Sequence, residues 1–159
     1  LDNYEAAFTV IRELKLPGTF FVTPEAVDGK GFMTWTMLDE MARTPGIEIG
    51  SHGLFHKPLA DISEHEARSS IFDSKKDLED RLGRPVKAFS YPSGSFTERI
   101  VDLVREAGYE CACAASHVHD RKYIGNPFLL RRIKISVSSA SASAFAWRLS
   151  GYYHLFGRP

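Results

Sequence analysis

Apolar positions along the chain recur in two alternating rhythms. Ala6, Ala7, Phe8, Ile11 and Leu14 fall at helical spacing, and Leu16-Pro17-Gly18 stops that helix. Thr19 to Val22 is a short apolar strand, and Met33 to Ala42 is helical again, with Met37, Leu38 and Met41 on one face. Ile47 to Gly50 forms the next strand. Ser63 with Glu66 makes a capping box at the head of a long helix, and Gly83 marks its end. Val86 to Ser90 is a strand followed by a Tyr91-Pro92-Ser93-Gly94 turn. Thr97 caps a helix that runs to about Ala107, with Gly108 as its stop. Tyr109 to Ala115 is a strand, residues 116–127 are a polar loop, Leu129 to Ile135 is a strand, and Ala142 to Leu149 is a helix.

Strands that alternate with helices imply a mostly parallel sheet covered by helices, either an open doubly wound sheet or a barrel. No Gly-rich phosphate loop follows any strand, which speaks against a nucleotide-binding version. No internal repeat and no low-complexity linker breaks the pattern, so residues 1–159 read as a single domain.

Composition narrows the function classes. With 43% apolar residues the chain can bury a real core, and 20 basic residues balance 20 acidic ones. That balance offers nothing to nucleic acid. No apolar run reaches the roughly 18 residues of a membrane span, and no basic-then-apolar leader opens the chain. Cys111 and Cys113 share one face of their strand, where disulfide geometry is poor, and read as small apolar core residues.

The candidate chemistry sits after two strands. In parallel α/β folds, function collects at the C-terminal ends of strands. His52 and His56 follow the strand at Ile47 to Gly50, and the Tyr91-Pro92-Ser93-Gly94 turn follows Val86 to Ser90. A spacing of four places two imidazoles on one side of a helical turn, where both can reach one ion. An H-x-x-x-H pair alone is also compatible with two idle loop histidines. The other histidines have blander readings. His65 lies on the capped helix, His154 lies in the tail, and His117 and His119 sit in the polar loop.

Taken in order, TFFV, MTWTMLDEMA, IEIGSHGLFHKPLADIS, LGRPVKAFSYPSGSF, VREAGYECA and LLRRIKIS resemble the metal-dependent polysaccharide deacetylases, the fourth family of carbohydrate esterases, over Asp2 to about Ser136. The resemblance implies an α/β fold, a partial or distorted (β/α) barrel whose first strand is missing from this chain. It implies a hydrolase of amide C–N bonds that removes acetyl groups from N-acetylated polysaccharides or oligosaccharides. His52 and His56 match the two histidine ligands of a divalent metal, usually zinc. The third ligand and the general base belong to an F-D-D-G motif that would lie just upstream of Leu1. Asp2 matches the segment after that motif and takes neither role. Asp61 matches a variable family position.

The turn resembles the family's R-x-P-Y-G motif, with Pro92 and Gly94 matching, Ser90 in place of Arg and Ser93 in place of Tyr. The resemblance gives the Ser93 backbone N–H an oxyanion role and places Tyr91, Pro92 and Gly94 at the substrate. The histidine acid that the family draws from an L-x-H segment has no counterpart in Arg132 to Ser136. Family likeness points to the cell envelope or the extracellular space. Two other readings stay open: a carbohydrate-binding pseudoenzyme that kept the fold, and a related amidohydrolase acting on a small-molecule amide.

Overall fold

A computed structural model describes residues 1–114, 125–132, 135 and 141–149. The predicted loop histidines His117 and His119, the tail His154 and residues 133–134 of the last predicted strand lie outside the described residues.

Among the described residues, five strands form one parallel sheet: β1 (Gly18–Val22), β2 (Ile47–Ser51), β3 (Ala88–Ser90), β4 (Cys111–Ala114) and β5 (Leu130–Arg131). Their spatial order is β1-β2-β3-β4-β5, the order of the sequence. A doubly wound sheet reverses direction at a switch point, and this one does not, so the winding is of barrel type. Among the described residues β1 is an edge strand.

The helices are α1 (Thr9–Glu13), α2 (Trp35–Arg43), α3 (Glu64–Leu82), α4 (Glu98–Glu106) and α5 (Ala142–Leu149). α2 packs beside α3, and α3 beside α4. On α3 the buried positions Ala67, Ser70, Ile71, Ser74, Leu78 and Leu82 keep helical spacing. They meet Ile47, Ile49, Phe89 and Ala112, which are all buried, on the outer face of the sheet. The predicted capping box is present, with the Ser63 hydroxyl accepting from the Glu66 N–H and Glu66 accepting from the Ser63 N–H. Gly83 ends α3 in the left-handed conformation, as the sequence reading expects.

Three expectations need adjustment. The first helix is π-helical over Asn3–Phe8 and turns α-helical only at Thr9. Tyr4 stacks on Phe8 and its hydroxyl donates to Glu40, which also pairs with Arg12, so docking onto α2 holds this short segment. α2 starts at Trp35 and not at Met33, because the Thr34 hydroxyl caps it by accepting from the Met37 N–H. On β4 the fully buried residues are Ala112 and Ala114, while Cys111 and Cys113 are half-buried free thiols on the inner face. Burial pushes both thiols up, away from the thiolate form.

The inner face carries one close approach. A Cβ on Gly50 would fall 2.7 Å from the Phe21 ring and 3.0 Å from the Ala88 carbonyl oxygen. Only glycine lets Phe21 lie across the sheet there.

Candidate active site

β2 ends by delivering its backbone into a fastened loop. Ser51 is fully buried, and its hydroxyl lies 2.8 Å from that of Ser74 on α3. The Gly53 N–H donates to the Ser51 Oγ at 3.2 Å, and the Leu54 N–H donates to the Ser70 Oγ at 3.0 Å. Tyr109 adds its hydroxyl, which donates to the Ile71 carbonyl at 3.2 Å, and burial pushes its pKa up to about 12. A buried serine needs a partner: Ser51 and Ser70 accept from the loop backbone, and Ser74 meets the Ser51 hydroxyl and the Ile71 carbonyl. Gly53 holds φ +76°, and a Cβ there would fall 3.1 Å from the Ser70 Oγ and 3.4 Å from Pro92 Cγ. The loop therefore rests on both α3 and the turn after β3.

His52 is fixed at two points. Its N–H donates to the Val22 carbonyl at 2.8 Å, and its Nδ1 lies 2.6 Å from the Ser90 carbonyl oxygen. A carbonyl can only accept, so Nδ1 carries the proton and Nε2 keeps its lone pair. Burial lowers the His52 pKa; the Ser90 bond opposes this, while His56 and Arg132 add to it. The neutral, ligating form is thus favoured. The His56 ring stands beside it, with centroids 4.9 Å apart and planes at 59°. His56 itself is exposed.

A cavity of about 280 Å³ opens in front of the pair. Phe21, Val22, Val27 and Met33 give it apolar walls, and Leu1, Asp2 and Asn3 border it. Asp2 shares the cavity with the histidines, yet its carboxylate accepts from the neighbouring Asn3 N–H. Among the described residues no third His, Cys, Asp or Glu joins His52 and His56 in a metal-holding group. The two imidazoles fit two positions of a tetrahedral ion, since Nε2 of His52 is free and His56 adjoins it.

The turn after β3 is a tight 3-10 turn over Pro92–Gly94. Tyr91 is buried, and its hydroxyl donates to the Phe128 carbonyl at 3.0 Å, so its ring anchors the turn in the core. Pro92 is buried against Gly53. Ser93 is exposed and holds φ +56°, an uncommon conformation for a residue with a Cβ. Gly94 follows at φ +71° and donates to the Tyr91 carbonyl at 2.9 Å. Behind the turn, Arg132 donates to the Ser90 Oγ at 3.3 Å, and its guanidinium lies 5.7 Å from the Phe21 ring centroid.

Sequence reasoning missed the cavity walls, the serine clasp and Arg132. The walls come from a strand end and a loop with no periodicity. The clasp had a faint signal: Ser70 and Ser74 occupy the apolar stripe of α3.

The family model for polysaccharide deacetylase matches residues 1–112. YxkH of Bacillus subtilis is 27% identical over 144 residues, covering 91% of this chain and 50% of the relative. The peptidoglycan-N-acetylglucosamine deacetylase of Bacillus cereus is 27% identical over 118 residues, covering 74% of this chain and 52% of the relative. The chain spans about half the length of these two curated relatives. Among solved structures, a polysaccharide deacetylase from Bacillus cereus superposes with a TM-score of 0.79 at 22% identity, over 94% of this chain and 48% of that one. A pseudoenzyme of the same carbohydrate esterase family from Bacillus anthracis gives 0.61 at 18% identity, over 70% and 38%. At these identities the structural likenesses speak for the fold.

Proposed function

The chain belongs to the polysaccharide deacetylase family, and we propose that its site hydrolyses the acetamide of N-acetylated glycans. The observation that carries the proposal is the pair of adjoining histidines at the C-terminal edge of β2, one of them locked as the Nδ1–H tautomer by Ser90.

His52 Nε2 and a nitrogen of His56 would hold a divalent metal, zinc by preference. Such a metal supplies Lewis acidity for the acetamide carbonyl and lowers the pKa of water. Imidazole sites also accept other divalent ions, so the preference rests on the ligand type. The Ser90 carbonyl keeps the His52 ring oriented and its lone pair outward. Phe21, Val22, Val27 and Met33 exclude water around the acetyl methyl group. The Ser93 backbone N–H donates to the oxygen that becomes an oxyanion when water adds to the carbonyl, a contribution of roughly 3–4 kcal/mol per donor. No residue of the Tyr91–Gly94 turn is among those lining the cavity, and Tyr91 and Pro92 are buried, so the turn would meet the substrate through the exposed Ser93 while Tyr91 fixes it from behind. Breaking the C–N bond then releases acetate and a protonated amine. The general base and general acid are assigned to no residue of this chain.

The test is acetate release from N-acetylglucosamine oligomers by the zinc-loaded full-length protein, beside His52→Ala and His56→Ala. Release that depends on both histidines supports the proposal. Oligomer binding without acetate release favours the pseudoenzyme reading, which a catalytically inert relative among the structural neighbours keeps in play. Hydrolysis of small amides alone favours the amidohydrolase reading.

A further inference from the structure

Two phenylalanines beside the site have no task in the chemistry above. Phe32 is 56% exposed and Phe55 is 41% exposed. Scattered exposed apolar side chains need no explanation, but these two border the same open hollow of about 560 Å³, with Thr23, Glu25, Ala26 and His56. The hollow runs into the histidine cavity, since Thr23, Ala26, Phe32 and His56 line both.

Both rings stand on closed turns. The Phe32 N–H donates to the Gly29 carbonyl at 3.0 Å, and the Asp28 N–H donates to the Met33 carbonyl at 3.0 Å. On the other side, the Leu54 N–H donates to the Ser70 carbonyl at 3.1 Å and the Lys57 N–H to the Phe55 carbonyl at 2.7 Å. The rings are therefore presented by shaped backbone on either side of His56. Glu25 puts a carboxylate in the lining, while Lys57, whose ammonium lies 5.7 Å from the Phe55 ring centroid, is not among the lining residues.

We propose that Phe32 and Phe55 form a sugar subsite, which takes the pyranose ring next to the one that presents its acetamide to His52 and His56. This inference rests on the deacetylase reading. A pyranose has an apolar C–H face and a rim of hydroxyls. The phenyl rings offer flat apolar surface to that face. Glu25 accepts from hydroxyls. A lipid tail or an apolar peptide would leave the Glu25 carboxylate facing hydrocarbon. Continuity with the histidine cavity fixes the order of occupation: reacting sugar inside, neighbouring sugar on the phenyl shelf.

The experiment compares the full-length protein with Phe55→Ala, Phe32→Ala and Phe55→Trp on N-acetylglucosamine substrates of one to five sugars. Both rings are exposed, so thermal melting of the variants should stay near wild type. Each alanine variant should raise KM about three- to tenfold for the pentamer, more than it lowers kcat, and should erase the gain from chain length. Phe55→Trp should restore KM, and its fluorescence, measured against the wild-type background, should shift as the pentamer is added. A wild-type KM at every chain length in both alanine variants would overturn the subsite. A Phe55→Trp signal indifferent to saturating pentamer would overturn it as well. If wild type neither deacetylates nor binds the oligomers, the deacetylase reading has failed, and the subsite falls with it.

Discussion

The two halves of the histidine loop, residues 51–54 and 55–58, are built to different standards. In the first half, Ser51 and Leu54 are tied to α3 by the hydroxyls of Ser74 and Ser70, the Gly53 N–H donates to the Ser51 hydroxyl, and His52 is tied to β1 and β3. In the second half Phe55, His56 and Lys57 are exposed, and the backbone bond from Lys57 to Phe55 is local. A fixed imidazole thus faces an adaptable one. A preorganised donor loses little on binding, while a free one is ordered only when the site fills. If the pair holds a metal as proposed, His52 would define where the centre lies and the exposed His56 would be ordered on binding.

Removing either imidazole should have the largest effect, since under the proposed function each would supply one of two metal ligands. His52→Ala and His56→Ala should both reduce acetate release to that of the metal-free protein. Only His52→Ala should also lower the melting temperature, because it alone breaks a buried hydrogen bond worth about 1 kcal/mol. Equal melting temperatures for the two variants would break the comparison.

Next come changes to the clasp. Ser74→Ala leaves the Ser51 hydroxyl without its partner and should destabilise the protein by about 1–3 kcal/mol in denaturant melts. Gly53→Ala places a Cβ against Ser70 and Pro92 at a positive φ and should cost about 1–3 kcal/mol. Lys57→Ala, in the loose half, should stay within about 0.5 kcal/mol of wild type.

A smaller effect follows pH. Burial holds the folded His52 pKa below the ordinary value, so the unfolded chain takes up the proton more readily. Without metal, this contribution is fully present above about pH 6.5. It should be lost as pH falls toward the lowered folded value and level off below it. His52→Gln should flatten that part of the stability profile. The smallest signal is local: zinc should slow amide exchange at residues 55–57 and leave Gly53 and Leu54 as slow as before. Protection gained equally in both halves would show that the clasp is not preorganised.

Much of this was legible beforehand because local rules carried it. The caps of α3 and α4 rest on side-chain oxygens at fixed offsets, so Ser63, Glu66 and Thr97 announce themselves. The pairing of His52 and His56 at one strand end follows from spacing and from the parallel topology. Long-range facts were not legible. That Ser90 presents its carbonyl to His52 depends on β2 and β3 being neighbours in register. That Tyr91 is an anchor depends on Phe128, far along the chain. The π-helical opening of the first helix has the same apolar spacing as an α-helix and leaves no separate mark.

The order β1-β2-β3-β4-β5 also bears on how the protein is made. Each strand pairs with the next one synthesised, so pairing can follow the order of synthesis even though each parallel crossover is long. The clasp and the turn lie within residues 51–94, between two adjacent strands joined by α3. Once that β-α-β unit has left the ribosome, both imidazoles and the Ser90 carbonyl are available to meet, while β4 and β5 are still to come. Domains fold from the N-terminal side during synthesis, so this order lets the histidine edge assemble before the later strands close around it.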